Sequence, residues 1–261
     1  MKSLEFATDL LVQSGQYRLA THADRFVQIT PNEPNFWFGN RVMFRDVLED
    51  AQAHLDQFHA DIPAARHICI GWDLPGLEIA KIEQLFDGTG LTIEQADSLT
   101  LTAPLKRSAA PDGVVIRPLG TASEWMQSEA ISKRDHLEDG LPEAGLETFL
   151  VGRTAARQAL IAQGLGQWFG AFKGDVLVGD MGIFHDQHYI RYQSVQTHQD
   201  HRRQGSCAAL LCACLDWATS RAPAALPVIV ANADSDAGRL YRRAGFTLAQ
   251  TTIAVYRPPL T

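Results

Sequence analysis

The segment from Val195 to Leu211 concentrates residue types that bind phosphate-bearing ligands. It reads V-Q-T-H-Q-D-H-R-R-Q-G-S-C-A-A-L-L, so a strand ends, a polar turn carries Arg202 and Arg203, and Gly205 precedes a helix. At such a turn, unpaired backbone N–H groups meet the positive end of a helix dipole, and glycine lets a ligand approach the backbone. The arginines add positive charge. The pattern predicts an anion cradle; a solvated turn that merely begins a helix is the alternative.

Two motifs in this region are similar to motifs of one enzyme superfamily. Arg202-x-x-Gly205-x-Cys207 followed by A-A-L-L resembles the acyl-CoA-binding motif, Q/R-x-x-G-x-G/A, of the GNAT (GCN5-related) N-acetyltransferases. The run L-Y-R-R-A-G-F, from Leu240 to Phe246, resembles the closing L-Y-x-x-x-G-F motif of the same superfamily. The resemblance extends over about 148 residues, from Val114 to the end, and includes V-I-R-P at 115–118 and the hairpin glycine at 179.

The resemblance implies acetyl-CoA as co-substrate, no metal, and direct attack by a primary amine. It implies that the main chain of Val195 and Thr197 pairs with the pantetheine arm, and that Tyr241 donates a proton to the departing thiolate as general acid. A packing aromatic with a satisfied hydroxyl is the alternative for Tyr241. The residues that it implies around the pyrophosphate are Arg202, Arg203, Gln204, Gly205, Ser206 and Cys207.

Three positions depart from the superfamily's pattern. Cys207 replaces the usual Gly or Ala, and Gln199 stands where proline is common. The frequent asparagine seven residues before the tyrosine is Asp234 here, with Asn232 two positions earlier. Asp234 can hold the same pantetheine contact only as an acceptor.

The general base and the acceptor are open in the sequence. Asp180, His185 and Glu129 are candidate bases, as is a water chain. A polar loop is expected at 133–145, and its segment from Lys133 to Glu143 contains four acidic residues that suit a cationic acceptor; a solvated charged loop is the alternative. Polyamine, amino acid, antibiotic and protein N-terminus all remain possible acceptors.

The elements expected around these motifs form a mixed α/β sheet flanked by helices. Hydrophobic patterning predicts an antiparallel meander, followed by helix, strand, helix and strand. The expected strands are 114–119, 167–173, 176–184, 189–197, 228–231 and 246–256, and the expected helices are 122–131, 146–163, 205–220 and 236–244.

A linker divides the chain into two expected domains. Residues 106–113 belong to a stretch with two prolines and no amphipathic period, so we expect a degenerate GNAT-like domain at 1–105 and a catalytic GNAT domain at 114–261. A shift of 155 residues aligns the ends of both parts and suggests two copies of one architecture. The first domain lacks an R-x-x-G-x-G/A equivalent, so we expect no acyl-CoA there. The aligned pairs are Gly90 with Gly245, Thr92 with Thr247, Gln95 with Gln250, Pro104 with Pro259, and Leu105 with Leu260.

Composition excludes several classes. The chain has 261 residues, 46% of them hydrophobic, and a net charge of −7, which disfavours disorder and a basic nucleic-acid binder. Residues 1–110 hold nine basic and 15 acidic residues, against 14 and 15 in the remainder. Without a signal-peptide core or a membrane span we expect a cytoplasmic monomer or homodimer. The four cysteines are expected to be reduced core thiols, and the histidines offer no metal-ligand spacing.

These observations lead to one functional prediction and one rival. The prediction is an acetyl-CoA-dependent N-acetyltransferase that acts on a small-molecule or peptide amine. The rival is a non-catalytic acyl-CoA-binding or regulatory module, which the missing base and Cys207 favour.

Overall fold

The computed structural model describes residues 1–34 and 36–259, so Leu260 of the predicted repeat lies outside the described residues. The chain forms two compact units. The first comprises Met1–Ser98, Val230–Gly238 and the chain from Leu248 onward, and the second comprises Leu99–Ile229 and Arg239–Thr247. The predicted linker, 106–113, falls inside the second unit, and the expected division into evolutionary domains stays a prediction.

The first unit is a mixed sheet with helices. Strands β1, β2 and β3 pair antiparallel in sequence, and β3 then pairs parallel with β4. Strand β4 pairs antiparallel with the last strand, β11 (Thr247–Arg257). Its elements before the linker are α1 (Leu4–Leu11), β1 (Arg18–Thr21), β2 (Arg25–Ile29), β3 (Arg41–Phe44), α2 (Ala51–Asp61), β4 (Ile68–Trp72), α3 (Ile79–Leu85) and β5 (Thr92–Thr100).

The core of the first unit draws on both ends of the chain. Phe44, Phe58 and Trp72 pack with Ile253 and Val255, all of them at most 2% exposed. The two C-terminal residues belong to β11, whose residues Ala254 to Arg257 pair with β4. The C-terminal strand is therefore a structural part of the first unit.

The second unit begins with the predicted antiparallel meander. Strands β6 to β9 pair antiparallel in sequence, and β9 then pairs parallel with β10. The elements after the linker are β6 (Val114–Pro118), α4 (Ala122–Glu138), α5 (Leu146–Ala162), β7 (Gly166–Lys173), β8 (Val176–His185), β9 (Tyr189–Thr197), α6 (Ser206–Thr219), β10 (Leu226–Asn232), α7 (Asp236–Ala244) and β11 (Thr247–Arg257). Of these, the segment Val230–Gly238 and the chain from Leu248 onward belong to the first unit.

The same order of elements occurs twice. Each copy has an antiparallel strand pair, a helix, a strand parallel to the second of the pair, another helix and a final strand. The first copy is β2-β3-α2-β4-α3-β5 and the second is β8-β9-α6-β10-α7-β11. The expectation of a mixed, mostly antiparallel sheet with helices, built from two similar halves, is therefore confirmed at the level of topology.

The prediction of a loop at 133–145 is wrong in its first half. Helix α4 continues through Glu138 because no glycine or proline interrupts it before Gly140, whose φ of 71° ends the turn that follows. A capping box at Thr121 and Glu124 fixes its start, and Arg134 and Glu138, one turn apart, pair at 3.6 Å. Lys133 and Asp135 therefore lie on a helix.

Three findings concern the cysteines, membrane-spanning helices and potential metal ligands. All four cysteines are free: Cys69 is buried in β4, and Cys207, Cys212 and Cys214 lie on α6. Within 1–34 and 36–259, no helix is both long and apolar enough to cross a membrane. In the same residues, no three His, Cys, Asp or Glu side chains gather as potential metal ligands.

Candidate active site

The parallel strands β9 and β10 part after three residue pairs. Pairing joins Tyr189–Arg191 to Leu226–Val228 and, within the described residues, continues no further. On its other side β9 remains paired with β8 as far as Thr197, which is opposite Gly179. One edge of β9 beyond Arg191 therefore has no neighbouring strand to use its backbone hydrogen-bonding groups. Val195 and Thr197, the two predicted pantetheine contacts, lie on this part of the strand.

Strand β9 bulges within this open part. Ser194 and Val195 stand opposite the single residue Met181, because Asp180 pairs with Gln196 and Gly182 pairs with Gln193. Ser194 has a φ of 47°, a left-handed conformation that serine rarely adopts. A bulge bends the strand and leaves backbone groups out of the ladder, and such bulges often lie beside active sites. Sequence reasoning missed this bulge, since no glycine marks it.

The predicted anion cradle follows directly. After one 3-10 turn at Gln199–His201, the chain enters left-handed conformations at Arg203 (φ 62°) and Gly205 (φ 94°), and α6 begins at Ser206. Gly205 is the N-cap and provides no side-chain cap. The first N–H groups of this 14-residue helix are thus left for another acceptor. A Cβ at Gly205 would have no neighbour closer than Pro111 Cγ at 3.8 Å, so the approach to the backbone is open.

The two cradle arginines differ in their contacts. Arg202 donates from Nε to the Thr197 carbonyl at 3.3 Å and from NH2 to Asp135 at 3.1 Å, with Glu138 at 3.6 Å. Arg203 is exposed. Asp135 and Glu138 lie on α4, so the misassigned polar loop is in fact a helix whose acidic residues hold Arg202.

The remaining cradle residues are positioned by the helix start. Ser206 is buried, and Gln204 donates from its side chain to the carbonyl of Asp200 at 3.2 Å. Burial raises the pKa of the Cys207 thiol to about 12. Cys207 therefore stays a neutral thiol at the helix terminus and packs as a small apolar residue.

Tyr241 lies on α7 and is 3% exposed. Its ring meets Phe246 at a centroid distance of 6.4 Å. Burial, and secondarily the proximity of Cys207, raise the pKa of the phenol, while Arg191 opposes the shift. Cys207 of the cradle and Arg191 of β9 are therefore each close enough to Tyr241 to interact with it electrostatically. The phenol keeps its proton at any physiological pH.

Asp234 is the one predicted site residue that belongs to the first unit, in its 230–238 segment. It is exposed in the turn after β10 and has a φ of 59°. Its predicted contact with pantetheine stays a prediction.

The candidate bases occupy different environments. Asp180, on β8, is completely buried; burial raises its carboxyl pKa, and hydrogen bonds oppose this shift. His185 ends the same strand, opposite Ile190, and burial together with Arg221 lowers its pKa. Glu129 is half-buried on α4. Of the three, Asp180 adjoins the bulge, because it pairs with Gln196.

A small cavity lies against α4. Its volume is about 320 Å³, and its lining is mostly apolar. The lining residues are Gln127, Ala130, Ile131, Arg134, Val176, Leu177 and His198. The sequence did not predict this cavity; of the lining residues on α4, Arg134 lies beyond the expected end of that helix at 131.

The topology and the site together define an α/β domain in which a parting strand pair faces the uncapped start of a helix. Residues 134–255 match the family model described as "Acetyltransferase (GNAT) domain". This part of the chain is therefore similar to the acetyltransferase domains of the GNAT family.

Solved structures of other proteins share this fold over nearly the whole chain. A conserved protein of unknown function from Staphylococcus epidermidis matches with a TM-score of 0.68 at 11% identity, covering 97% of each chain. A GCN5-related N-acetyltransferase from Kribbella flavida matches with a TM-score of 0.62 at 18% identity, covering 97% of this chain and 93% of that one. A tandem GNAT protein from the clavulanic acid biosynthesis pathway matches with a TM-score of 0.58 at 10% identity, covering 95% of this chain and 85% of that one. No curated protein matches the sequence.

Proposed function

We propose that the protein is an acetyl-CoA-dependent N-acetyltransferase that moves an acetyl group to a primary amine. The observation that supports it most is the parting of β9 from β10 beside the uncapped N-terminus of α6. The open strand edge suits the extended, amide-bearing arm of the co-substrate, and the helix start suits its pyrophosphate. Both features occur in the second unit.

The first unit differs at the equivalent place. Helix α2 follows β3 as α6 follows β9, yet its N-cap is Asp50, whose carboxylate accepts from the N–H of Ala53 at 2.8 Å. A carboxylate at a helix N-terminus occupies the donors and repels a phosphate. We therefore assign acyl-CoA binding to the second unit alone, in agreement with the missing R-x-x-G-x-G/A motif.

In the proposed reaction a neutral amine attacks the thioester carbonyl, the new C–N bond forms and the C–S bond breaks. Backbone N–H groups of the bulge at Ser194 and Val195 stabilise the oxyanion that develops on the carbonyl oxygen. Tyr241 gives its proton to the departing thiolate, and its raised pKa ensures that it carries this proton. The nitrogen of the tetrahedral intermediate loses its extra proton to water, and Tyr241 regains a proton from water, so that the products are a neutral amide and a thiol.

The acceptor is proposed to be a small molecule or a peptide with a free amine. Asp135 and Glu138 on α4 place negative charge beside the cradle and suit a cationic acceptor. Both carboxylates also bind Arg202, so their charge is partly neutralised before an acceptor arrives.

Calorimetry with acetyl-CoA, followed by an assay of thiol release across a panel of amines, tests the proposal. Saturable binding together with amine-dependent thiol release supports it. Tight binding without release for any amine would favour the rival, a non-catalytic acyl-CoA-binding module. Absence of binding would contradict both.

A further inference from the structure

A buried carboxylate lies under the bulge of β9. Asp180 is 0% exposed and accepts hydrogen bonds at Oδ2 from Ser128 Oγ at 2.5 Å and from Trp168 Nε1 at 2.7 Å. The donors come from α4 and β7, so three elements meet at one buried carboxyl group. Burying a carboxylate is costly unless hydrogen bonds compensate it, and such a group is rarely kept without a purpose.

One arm of this cluster reaches the first residue of the bulge. The Trp168 ring, held by its bond to Asp180, supports the guanidinium of Arg157 at 4.3 Å from the ring centroid. Arg157 in turn donates from NH2 to Ser194 Oγ at 2.9 Å. The arm therefore runs from Asp180 through a stacked pair to the residue with the left-handed φ.

A second arm reaches the residue after the bulge. Gln196 donates from Nε2 to the carbonyl and hydroxyl oxygens of Ser128, at 3.3 and 3.4 Å. Its Oε1 accepts from Ser132 Oγ at 2.9 Å. Because Ser128 also binds Asp180, both ends of the segment Ser194–Gln196 are tied to the same carboxylate.

These side-chain contacts explain how Ser194 keeps its strained backbone conformation. A non-glycine residue in the left-handed region is strained and is kept only when its surroundings fix it. Ser194 and Gln196 are each held through side chains while Val195 between them is only half-buried. The network thus fixes the bulge and leaves its middle residue accessible.

We propose that Asp180 is a positioning residue: through Trp168 with Arg157, and through Ser128 with Gln196, it holds the bulge of β9 in the backbone geometry that acetyl transfer uses. The inference rests on the proposed function, because it gives the bulge a catalytic purpose. Asp180 itself touches neither substrate and transfers no proton in this account.

Two variants separate positioning from simple stabilisation. Asp180→Asn keeps the shape but weakens the two hydrogen bonds that converge on Oδ2, because an amide oxygen is a weaker acceptor than a carboxylate oxygen. Arg157→Met removes the contact with Ser194 at a half-buried position. We expect each to lower kcat at least about tenfold while the Kd for acetyl-CoA, which the cradle dominates, changes less than about threefold. Asp216→Asn, which removes an exposed carboxylate that pairs with Arg107, serves as the matched control and keeps kcat.

A rescue sharpens the test. Glycine adopts a φ of 47° without penalty. Adding Ser194→Gly to Asp180→Asn should therefore recover at least about threefold in kcat, whereas lost global stability would not be repaired by it. If both single variants keep wild-type kcat, or if Ser194→Gly recovers nothing, the positioning role is overturned.

A readout independent of activity covers the remaining cases. Hydrogen exchange of the amides at 194–196 should become faster in Arg157→Met and in Asp180→Asn than in Asp216→Asn. Unchanged exchange would overturn the inference even if the wild type acetylated no amine. Faster exchange in a protein without turnover would instead show that the network holds the bulge and that the proposed function has failed.

Discussion

At the scale of single residues, the site depends on a buried phenol and a helix start that has no side-chain cap. Tyr241 is almost inaccessible, so its proton leaves only toward a group that reaches it inside the protein. A thiolate held along the open edge of β9 is such a group in our account. Burial, the same property that keeps the phenol neutral, therefore also restricts which base it can serve.

Tyr241→Phe should lower kcat about 10²-fold or more, because general acid catalysis by one side chain contributes about 10²–10⁴. The Kd for acetyl-CoA should stay close to that of the wild type, since the ring and its contact with Phe246 remain. Steady-state kinetics and calorimetry measure the two quantities. Tyr189→Phe, at the paired start of β9, is the control and should match the wild type. Full turnover of Tyr241→Phe across the pH range would show that the acid assignment is wrong.

Gly205→Ala should weaken acetyl-CoA binding at least about tenfold. The φ of 94° strains alanine, and a Cβ there intrudes on the space through which a ligand meets the backbone. Gly174→Ala, in the β7–β8 turn with φ 62° and no atom within 4 Å of the Cβ, carries similar strain away from the cradle. Both should lose on the order of 1 kcal/mol of stability. Calorimetry should show weaker binding of acetyl-CoA only for Gly205→Ala. Equal binding by the two variants would show that the cradle does not bind acetyl-CoA.

At the scale of elements, α4 connects the first strand of the second unit to the cradle. Its N-terminus is fixed by Glu124, which accepts from the N–H groups of Gly120 and Thr121 at 2.7 and 3.0 Å and pairs with Arg117 at 2.6 Å. These contacts, Arg117 first, lower the pKa of Glu124 to about 2. The later part of the same helix supplies Ser128, Ser132 and Asp135 to the site.

The start of α4 should make stability depend on pH in a defined window. Since the pKa of Glu124 in the folded protein lies below its ordinary value of 4.5, its stabilisation is complete above about pH 4.5 and disappears as the pH falls toward 2. Glu124→Gln should therefore be less stable than the wild type at pH 7, and the gap should narrow at pH 3. Urea unfolding at both values measures it. A gap that stays constant would mean that the carboxylate's charge does not stabilise α4.

The sequence predicted the elements well where a periodic pattern decides the structure. Strands β7 to β9 and helices α5, α6 and α7 lie within a few residues of their expected bounds, because apolar spacing and the glycines at 174 and 205 mark them. The extension of α4 was missed because a run of mixed charges reads equally as a loop or as a solvated helix. The cluster at Asp180 was missed for another reason: its members are 52 and 12 residues away in sequence, and only the sheet register brings them together.

At the scale of the whole molecule, the two compact units do not correspond to two consecutive stretches of the chain. Most of the acidic excess lies in residues 1–110, and the arginines of the cradle belong to the nearly neutral remainder. Yet the last strand, β11, pairs with β4 and places Ile253 and Val255 in the core of the first unit. A division of the chain at 106–113 therefore separates β4 from its partner.

Residues 114–261 expressed alone should fold poorly, because β11 then lacks the strand with which it pairs in the full chain. In the full chain, Ile253→Ala should lower the free energy of unfolding by about 2–5 kcal/mol, as deletion of a buried isoleucine does. Leu248→Ala, on the same strand but 52% exposed, is the control and should change it little. Chemical unfolding measures both. A soluble, cooperatively folded 114–261 fragment would show that this part of the chain needs nothing from residues 1–113.

The central claim is acetyl transfer to an amine, and following the acetyl group itself tests it most directly. The purified protein is given acetyl-CoA whose acetyl group carries a stable isotope, together with an amine that stimulates thiol release. Acetyl transfer to the amine predicts that the label appears in an amide of that amine, in the same molar amount as the thiol released. Mass spectrometry measures the labelled amide. Label recovered as free acetate, or thiol release without a labelled amide, would contradict it.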